Sequence, residues 1–144
     1  MNTKFEDIFS LFFSQIDDYT FASASDELIQ YELEKYLTNS YMSVYHMMGS
    51  LDIDFEGKEF SRELTMMEKI IFAKSMSAEW TLKKLNSEEL MVKSIGDRDY
   101  KAIQGFTYLK QLREEYNSKL KDIDRAIIDY TYNNEDMSGG LFNA

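Results

Sequence analysis

The sequence contains no cysteine and no proline among its 144 residues, and only six glycines. Without cysteine, disulfide scaffolds, thiolate zinc sites and cysteine nucleophiles are excluded. Proline and glycine are the residues that most often interrupt helices, so the long intervals without them favour an all-α fold. We expect a small helical bundle of about four to five helices, since a chain of this length can bury a single core without covalent cross-links.

Basic residues are also scarce, because 16 Lys and Arg face 26 Asp and Glu and leave a net charge of −10. Proteins that wrap nucleic acid need basic side chains to neutralise phosphates, so this composition disfavours DNA or RNA binding. An acidic surface would instead repel DNA that passes it. No apolar run approaches the ~18 residues of a membrane span, and acids interrupt the first apolar stretch, so neither a membrane helix nor a signal peptide is expected.

The search of the sequence for catalytic motifs is mostly negative. His46 is the only histidine, and without a second histidine or a cysteine it does not form a metal site or a catalytic triad. Neither of two glycine-rich phosphate-binding motifs, G-x-x-x-x-G-K-S/T and G-x-G-x-x-G, occurs in the sequence. We therefore assign no catalytic residue, cofactor or metal ligand, interpret His46 as a surface or interface residue, and expect that the protein is not an enzyme.

One acidic segment comes close to the sequence of a calcium-binding EF-hand loop. Oxygen ligands and the glycine fall at the expected places: Asp52, Asp54, Glu56, Gly57 and Glu63. Two departures weaken the match, because Glu56 is longer than the usual Asp or Asn, and charged Glu59 stands where an apolar residue is normal. No second loop is present to pair with it. We favour an acidic surface loop over a calcium site.

Apolar spacing predicts the helices and their ends. We expect a first helix at 3–17, and a second that Ser25 or Asp26 caps and that continues to about residue 48. Residues 49–63 break the pattern, with a short extended piece at 53–55. A third helix runs to about residue 85, and a short fourth helix at 88–95 is capped by Ser87. Asp97 or Asp99 caps the last helix, which runs to about residue 130.

The clearest local signal is the start of the third helix. Thr65 is followed three residues later by Glu68, which is the pattern of a capping box. In this motif the hydroxyl and the carboxylate each satisfy a backbone N–H that the first helical turn leaves without a partner. The sequence thus predicts a helix that begins directly after Thr65.

The last helix and the residues after it predict contacts with another subunit. Apolar or aromatic side chains recur every three or four residues: Ile103, Phe106, Leu109, Leu112, Tyr116, Leu120, Ile123, Ile127 and Tyr130. Such a helix spans roughly 45 Å, more than a compact domain of this size needs. We divide the chain into a helical domain, 1–130, and an extended C-terminal arm, 131–144. We expect Tyr130, Tyr132, Leu141 and Phe142 to contact a neighbour, because the arm is too short to bury them itself.

Several short motifs resemble those of a phage protein family in their order and spacing. They are FSRELTMME at 60–68, MSAEW at 76–80, DYK at 99–101 and LKQL at 109–112. With the opening segment 9–19, which ends in QIDDY at 15–19, this order is similar to that of head–tail connector (neck adaptor) proteins of tailed bacteriophages. The likeness extends to about residue 130. It departs at Gly105 and Phe106, where small polar residues are expected, and in the length of the tail.

The resemblance implies a structural subunit of the virion neck, assembled in the host cytoplasm. Such proteins form a homo-oligomeric ring, a dodecamer if it follows the portal, that joins the portal protein to tail or neck proteins. DNA passes through as cargo. The alternative is a small acidic binding protein, a phage-encoded host-protein inhibitor or DNA mimic, whose charge imitates phosphates. The connector hypothesis predicts that deletion of 131–144 leaves a folded monomer that fails to assemble.

Overall fold

The computed structural model describes the backbone of residues 1–16, 26–95 and 100–142, and the side chains of 1–16, 27–89 and 106–133. Within these ranges the chain forms four α-helices and one two-stranded antiparallel sheet, which confirms the small all-α bundle. The helices are α1 (Phe5–Gln15), α2 (Asp26–Val44), α3 (Met66–Ile95) and α4 (Tyr100–Phe142). A turn of 3-10 helix (Tyr45–Met47) follows α2, and the strands β1 (Ile53–Asp54) and β2 (Glu59–Phe60) precede α3.

The central element is α3, against which α1, α2 and α4 all pack. Its buried face includes small side chains, Ala73, Ser77 and Ala78, which let neighbouring helices approach closely. The apolar stripe predicted for the first helix is confirmed, because α1 buries Phe5, Ile8, Phe9 and Phe12. These side chains join α2, β2 and the first half of α3 in one hydrophobic core.

The residues before α1 are tied to the β-hairpin. The backbone of Lys4 forms an isolated antiparallel β-bridge with Glu59 of β2. The N–H of Phe60 donates to the carbonyl of Thr3 (2.9 Å), and the buried Thr3 hydroxyl accepts from the N–H of Leu64 (2.8 Å). The extended piece predicted at 53–55 is confirmed as β1, and the N-terminal residues lie alongside its partner strand. The start of the chain is thereby fixed next to the start of α3.

The predicted fourth helix is not separate, because α3 continues without a break from Met66 to Ile95. Ser87 lies exposed within α3 and does not cap a new helix. Leu85 packs in a second, smaller core with Leu109 and Leu112 of α4, so tertiary contact keeps this part of α3 helical. The cap residues proposed at Ser25, Asp97 and Asp99 lie outside the described residues, as does the side chain of Asp26.

The C-terminal arm is helical and not extended, because α4 continues to Phe142. Extending an existing helix adds one hydrogen bond for each residue fixed, and Gly139 and Gly140 cost only about 1 kcal/mol each. The side-chain amide of Asn133 contacts the sulfur of Met67 (3.1 Å) in the first turn of α3. Residues 134–142 therefore continue α4 past the end of its antiparallel partner.

The residues of α4 that face α3 form a seam with alternating steps of three and four. The side chains on it are Leu109, Leu112, Tyr116, Lys119, Ile123, Ala126 and Tyr130. This 3.5-residue period is typical of coiled coils. The seam differs from the predicted stripe, because Phe106 and Leu120 are exposed and the partly buried position next to Leu120 belongs to Lys119. Within the described part of the seam, α4 thus carries Lys119 on the face that packs against α3.

Candidate functional site

Four side chains were predicted to contact a neighbour. For Tyr130 this prediction is wrong, because the ring is buried within the chain. It is 6% exposed, packs in the main core, and donates its hydroxyl to Oε2 of Glu68 (3.0 Å). The reason is its place on the seam, which turns the ring toward α3 and away from solvent. Tyr132 is 65% exposed, and it stays a candidate. Leu141 and Phe142 are helical, and their side chains lie outside the described residues.

Glu68 lies at the centre of a buried polar network and is only 1% exposed. Its carboxylate accepts hydrogen bonds from the N–H of Thr65 (2.8 Å), from both terminal nitrogens of Arg62 (2.9 and 2.6 Å), and from Tyr130. The N–H of Glu68 donates to the hydroxyl of Thr65 (3.2 Å), so the predicted capping box is confirmed. Arg62 also donates to the carbonyl of Met48 (2.6 Å). The network joins the end of the hairpin, the start of α3 and the seam of α4.

The charges of this network stabilise each other. Burial raises the pKa of the Glu68 carboxyl, but hydrogen bonds from Arg62, from the N–H of Thr65 and from Tyr130 outweigh burial and hold that pKa below its ordinary value. The hydrogen bond to Glu68 is the main reason that the pKa of Arg62 is raised. Within the described side chains, no buried nitrogen or oxygen lacks a hydrogen-bond partner. Both oxygens of the Glu68 carboxylate are thus occupied by groups of the chain itself.

The acidic loop at 52–63 is a hairpin turn. The carboxylate of Asp54 accepts the N–H groups of Glu56 and Gly57 (both 3.1 Å), which closes the turn between β1 and β2. Glu59 pairs with Lys4 instead of pointing into the loop. Among the residues that the structure describes, no group of three or more histidine, aspartate or glutamate side chains is arranged to hold a metal ion. The segment between the two strands is thus an exposed acidic turn that Asp54 closes.

An open cleft of about 340 Å³ lies between the end of α1, the middle of α3 and α4. Its lining side chains are Gln15, Lys74, Ser77, Lys119 and Asp122. Two of the five are lysines, although acids outnumber bases in the chain as a whole. We refer to this feature as the lysine cleft.

Lys119 is held in a fixed position in this cleft. Its amine donates to the hydroxyl of Thr81 (2.7 Å) and lies 3.3 Å from the carboxylate of Glu115. Burial lowers the pKa of Lys119, and nearby Lys84 lowers it further. Both ammonium groups lie over the ring of Trp80, 4.6 Å (Lys84) and 5.2 Å (Lys119) from its centroid. Sequence analysis missed Lys119, although the alternation of three and four steps through 112, 116, 119 and 123 was a signal for it.

Among the described residues that expose large apolar side chains, two groups lie on α4 and on α2. On the outer α4 surface, Ile128 (62% exposed) and Tyr132 lie one helical turn apart and point away from the seam. On the α2 surface, Tyr31 and Met42 of α2 are exposed, together with Phe55 at the tip of the hairpin. Exposed apolar groups of this kind are typical of contacts with another protein.

None of the helices in the described part of the chain has the length and apolar character needed to cross a membrane. Comparison of the chain with protein-family models, with curated proteins and with solved structures finds no match.

Proposed function

We propose that the chain is a structural subunit of a tailed-bacteriophage neck, a head–tail connector that forms a ring between the portal and the tail. The observation that carries the proposal is the presence of two exposed apolar surfaces on different helices, the outer α4 surface and the α2 surface. Both helices pack on α3. The order of the sequence motifs at 60–112 supports the same class of protein.

Two different surfaces suit a ring. In a head-to-tail contact, one surface of each copy meets a different surface of the next, and the series closes when the rotation between copies divides a full turn. Burial of an exposed Ile or Tyr contributes roughly 1.5–3 kcal/mol per side chain. A repeated contact between the outer α4 surface and the α2 surface would therefore stabilise each junction of the ring.

Charge and internal saturation support a passive role toward DNA. The net charge of −10 repels a phosphate backbone that passes at close range. The buried Arg62–Glu68 pair is occupied by internal partners. These features are compatible with a subunit that surrounds DNA without binding or cleaving it.

The test compares two variants of α4 that each add one negative charge. Ile128→Asp places a carboxylate on the outer α4 surface, and Asn117→Asp places one at an exposed polar position of the same helix. We expect the wild type and Asn117→Asp to form rings on purified portal-containing heads, as measured by light scattering and electron microscopy. We expect Ile128→Asp to stay monomeric with an unchanged circular dichroism spectrum. Equal assembly of all three proteins would contradict the proposed contact.

The net charge favours a second candidate, a small acidic inhibitor or DNA mimic. That function predicts a monomer or dimer that binds a basic host protein and is absent from purified particles. The presence or absence of the chain in particles therefore separates the two.

A further inference from the structure

We infer that the lysine cleft receives a carboxylate side chain from a neighbouring copy of the chain. The inference rests on the proposed function, because it requires assembled copies. It assigns a polar, orientation-fixing contact to a site that lies apart from the two apolar surfaces.

The cleft is built from three elements that the core holds together. Gln15 comes from the end of α1, Lys74 and Ser77 from α3, and Lys119 and Asp122 from α4. Since α1 and α4 both pack on α3, the positions of these groups are set by the bundle and not by a loop. Side chains carried by rigid elements lose little entropy when they bind a partner.

Lys119 is held in place for an acceptor by its hydrogen bonds. The hydroxyl of Thr81 donates to the carbonyl of Ser77 (3.0 Å), which leaves its lone pairs available for the amine of Lys119. The side chain of Lys119 is only 20% exposed, so the burial that lowers its pKa makes an additional anion favourable. A carboxylate beside the Lys119 amine would replace the water contacts that this amine loses through burial.

Among the described residues, Asp122 and Glu115 balance the positive charge of the cleft region only in part. Among the described residues, neither Lys74 nor Lys84 has a carboxylate within ion-pair distance, and Lys119 has only the largely exposed Glu115. The three lysines Lys74, Lys84 and Lys119 stand against the two carboxylates of Asp122 and Glu115, which leaves a local excess of one positive charge in a chain with 26 acids. Such a site attracts anions to its opening.

A carboxylate of a second copy fits this site better than a DNA phosphate does. A DNA backbone brings a row of phosphates to a protein of net charge −10, whereas one carboxylate side chain adds a single negative charge beside the lysines and Asp122. A single aspartate or glutamate side chain can reach the lysines while its own backbone stays outside. Every neighbouring copy supplies acidic side chains in excess, which gives charge complementarity between the lysine cleft and the remaining surface of the chain.

The experiment uses the assembled full-length chain and a zero-length carbodiimide cross-linker, with unlabelled and ¹⁵N-labelled copies mixed before assembly. We expect mass spectrometry to identify mixed-isotope links between Lys74 or Lys119 of one copy and an Asp or Glu of another. Lys74→Glu should weaken assembly about tenfold, since it places like charges together. Lys110→Glu changes the net charge equally, but its exposed position on α4 lies outside the lysine cleft, the outer α4 surface and the α2 surface, so it should assemble as the wild type does.

Two further variants separate folding from binding. Lys74→Gln removes the charge with little change of shape and should weaken assembly in the same direction, while circular dichroism confirms an intact fold. When the acidic residue found in the cross-link is replaced by Lys, and Lys74→Glu is present in the same chain, the two charges are exchanged and assembly should be restored.

Other outcomes identify which idea fails. If the wild type assembles, but Lys74→Glu matches Lys110→Glu and no intermolecular link involves the lysine cleft, the inference is wrong and the proposed function stands. If the wild type never assembles on heads, the proposed function is wrong and the inference falls with it. Binding of a short DNA duplex that is lost in Lys74→Glu would assign the cleft to phosphate and overturn the inference.

Discussion

Glu68 connects three parts of the fold through one carboxylate. It caps α3 through Thr65, pairs with Arg62 of the segment after β2, and accepts the hydroxyl of Tyr130 from α4. A buried carboxylate is costly unless each of its oxygens has partners, and here both oxygens do. The value of this residue lies in holding the arrangement of the elements around it.

Removal of the Glu68 carboxylate should destabilise the fold strongly. Glu68→Ala removes the carboxylate that accepts from Arg62, from the N–H of Thr65 and from the Tyr130 hydroxyl, so we expect a loss of about 3 kcal/mol in the free energy of unfolding. Tyr130→Phe removes one donor and keeps the buried ring, which should cost about 1 kcal/mol. Urea unfolding at neutral pH measures both. Equal stability of the two variants would show that the Arg62–Glu68 pair contributes little.

Acid should weaken the same network. Because the pKa of Glu68 in the folded protein lies below the ordinary value of 4.5, the unfolded chain takes up the proton first as the pH falls. The stabilisation is therefore complete above pH 4.5 and is lost as the pH drops through the folded-state pKa. Urea unfolding across a series of acidic pH values should show a steeper decline for the wild type than for Glu68→Gln. Parallel declines would contradict this assignment.

At Glu68 the sequence allowed a partial prediction. The capping box was predictable because Thr65 and Glu68 are three residues apart and act within one helical turn. The partners Arg62 and Tyr130 were not predicted, and Tyr130 lies 62 positions away along the chain. No local pattern encodes which hydroxyl will reach a given carboxylate, since that depends on the packing of α4 against α3.

The start of α3 offers a test of local capping by itself. Thr65→Ala removes the hydroxyl that accepts the N–H of Glu68, and we expect a loss of about 1 kcal/mol. Thr38→Ala is the matched control, since the Thr38 hydroxyl bonds only to the carbonyl of Glu34 in its own helix (2.7 Å). Its cost should stay below about 0.5 kcal/mol. Thermal or urea unfolding measures both, and equal effects would mean that the cap adds nothing beyond loss of a methyl group.

The helices themselves were predicted better than their ends. Residues such as Ser87 and Glu88 are typical of a helix start, but they are equally acceptable on the solvent side of a helix that packing keeps intact. The polar and glycine residues after 131 suggested an extended arm, yet α4 continues through them. In both cases the composition matched two structures, and the existing helix determined which one formed.

Lys119 shows the same limit in the seam of α4. A lysine was not expected among apolar seam positions, and Leu120 was predicted to be buried in its place. Lys119 is accommodated there because Thr81 accepts its hydrogen bond and Trp80 offers an aromatic face to its charge. Only the packing of α3 against α4 brings these groups together.

Taken as one body, the chain combines a saturated interior with unsatisfied surfaces. Within the described side chains, every buried polar atom has a hydrogen-bond partner. By contrast, the outer α4 surface and the α2 surface leave apolar side chains exposed, and the lysine cleft is open. This distribution agrees with the proposed structural subunit, whose exposed surfaces would be covered by other copies. The all-α bundle followed from composition and apolar spacing. The two apolar surfaces were not predicted as a pair, since exposure depends on which faces α3 covers.

The most direct measurement of the central claim is the location and copy number of the chain in purified phage particles. We expect a density map of the intact particle to place several copies in a ring at the neck, with the outer α4 surface at the junction between copies. A particle that contains no copy of the chain, together with a stable complex between the isolated chain and a basic host protein, would contradict the account.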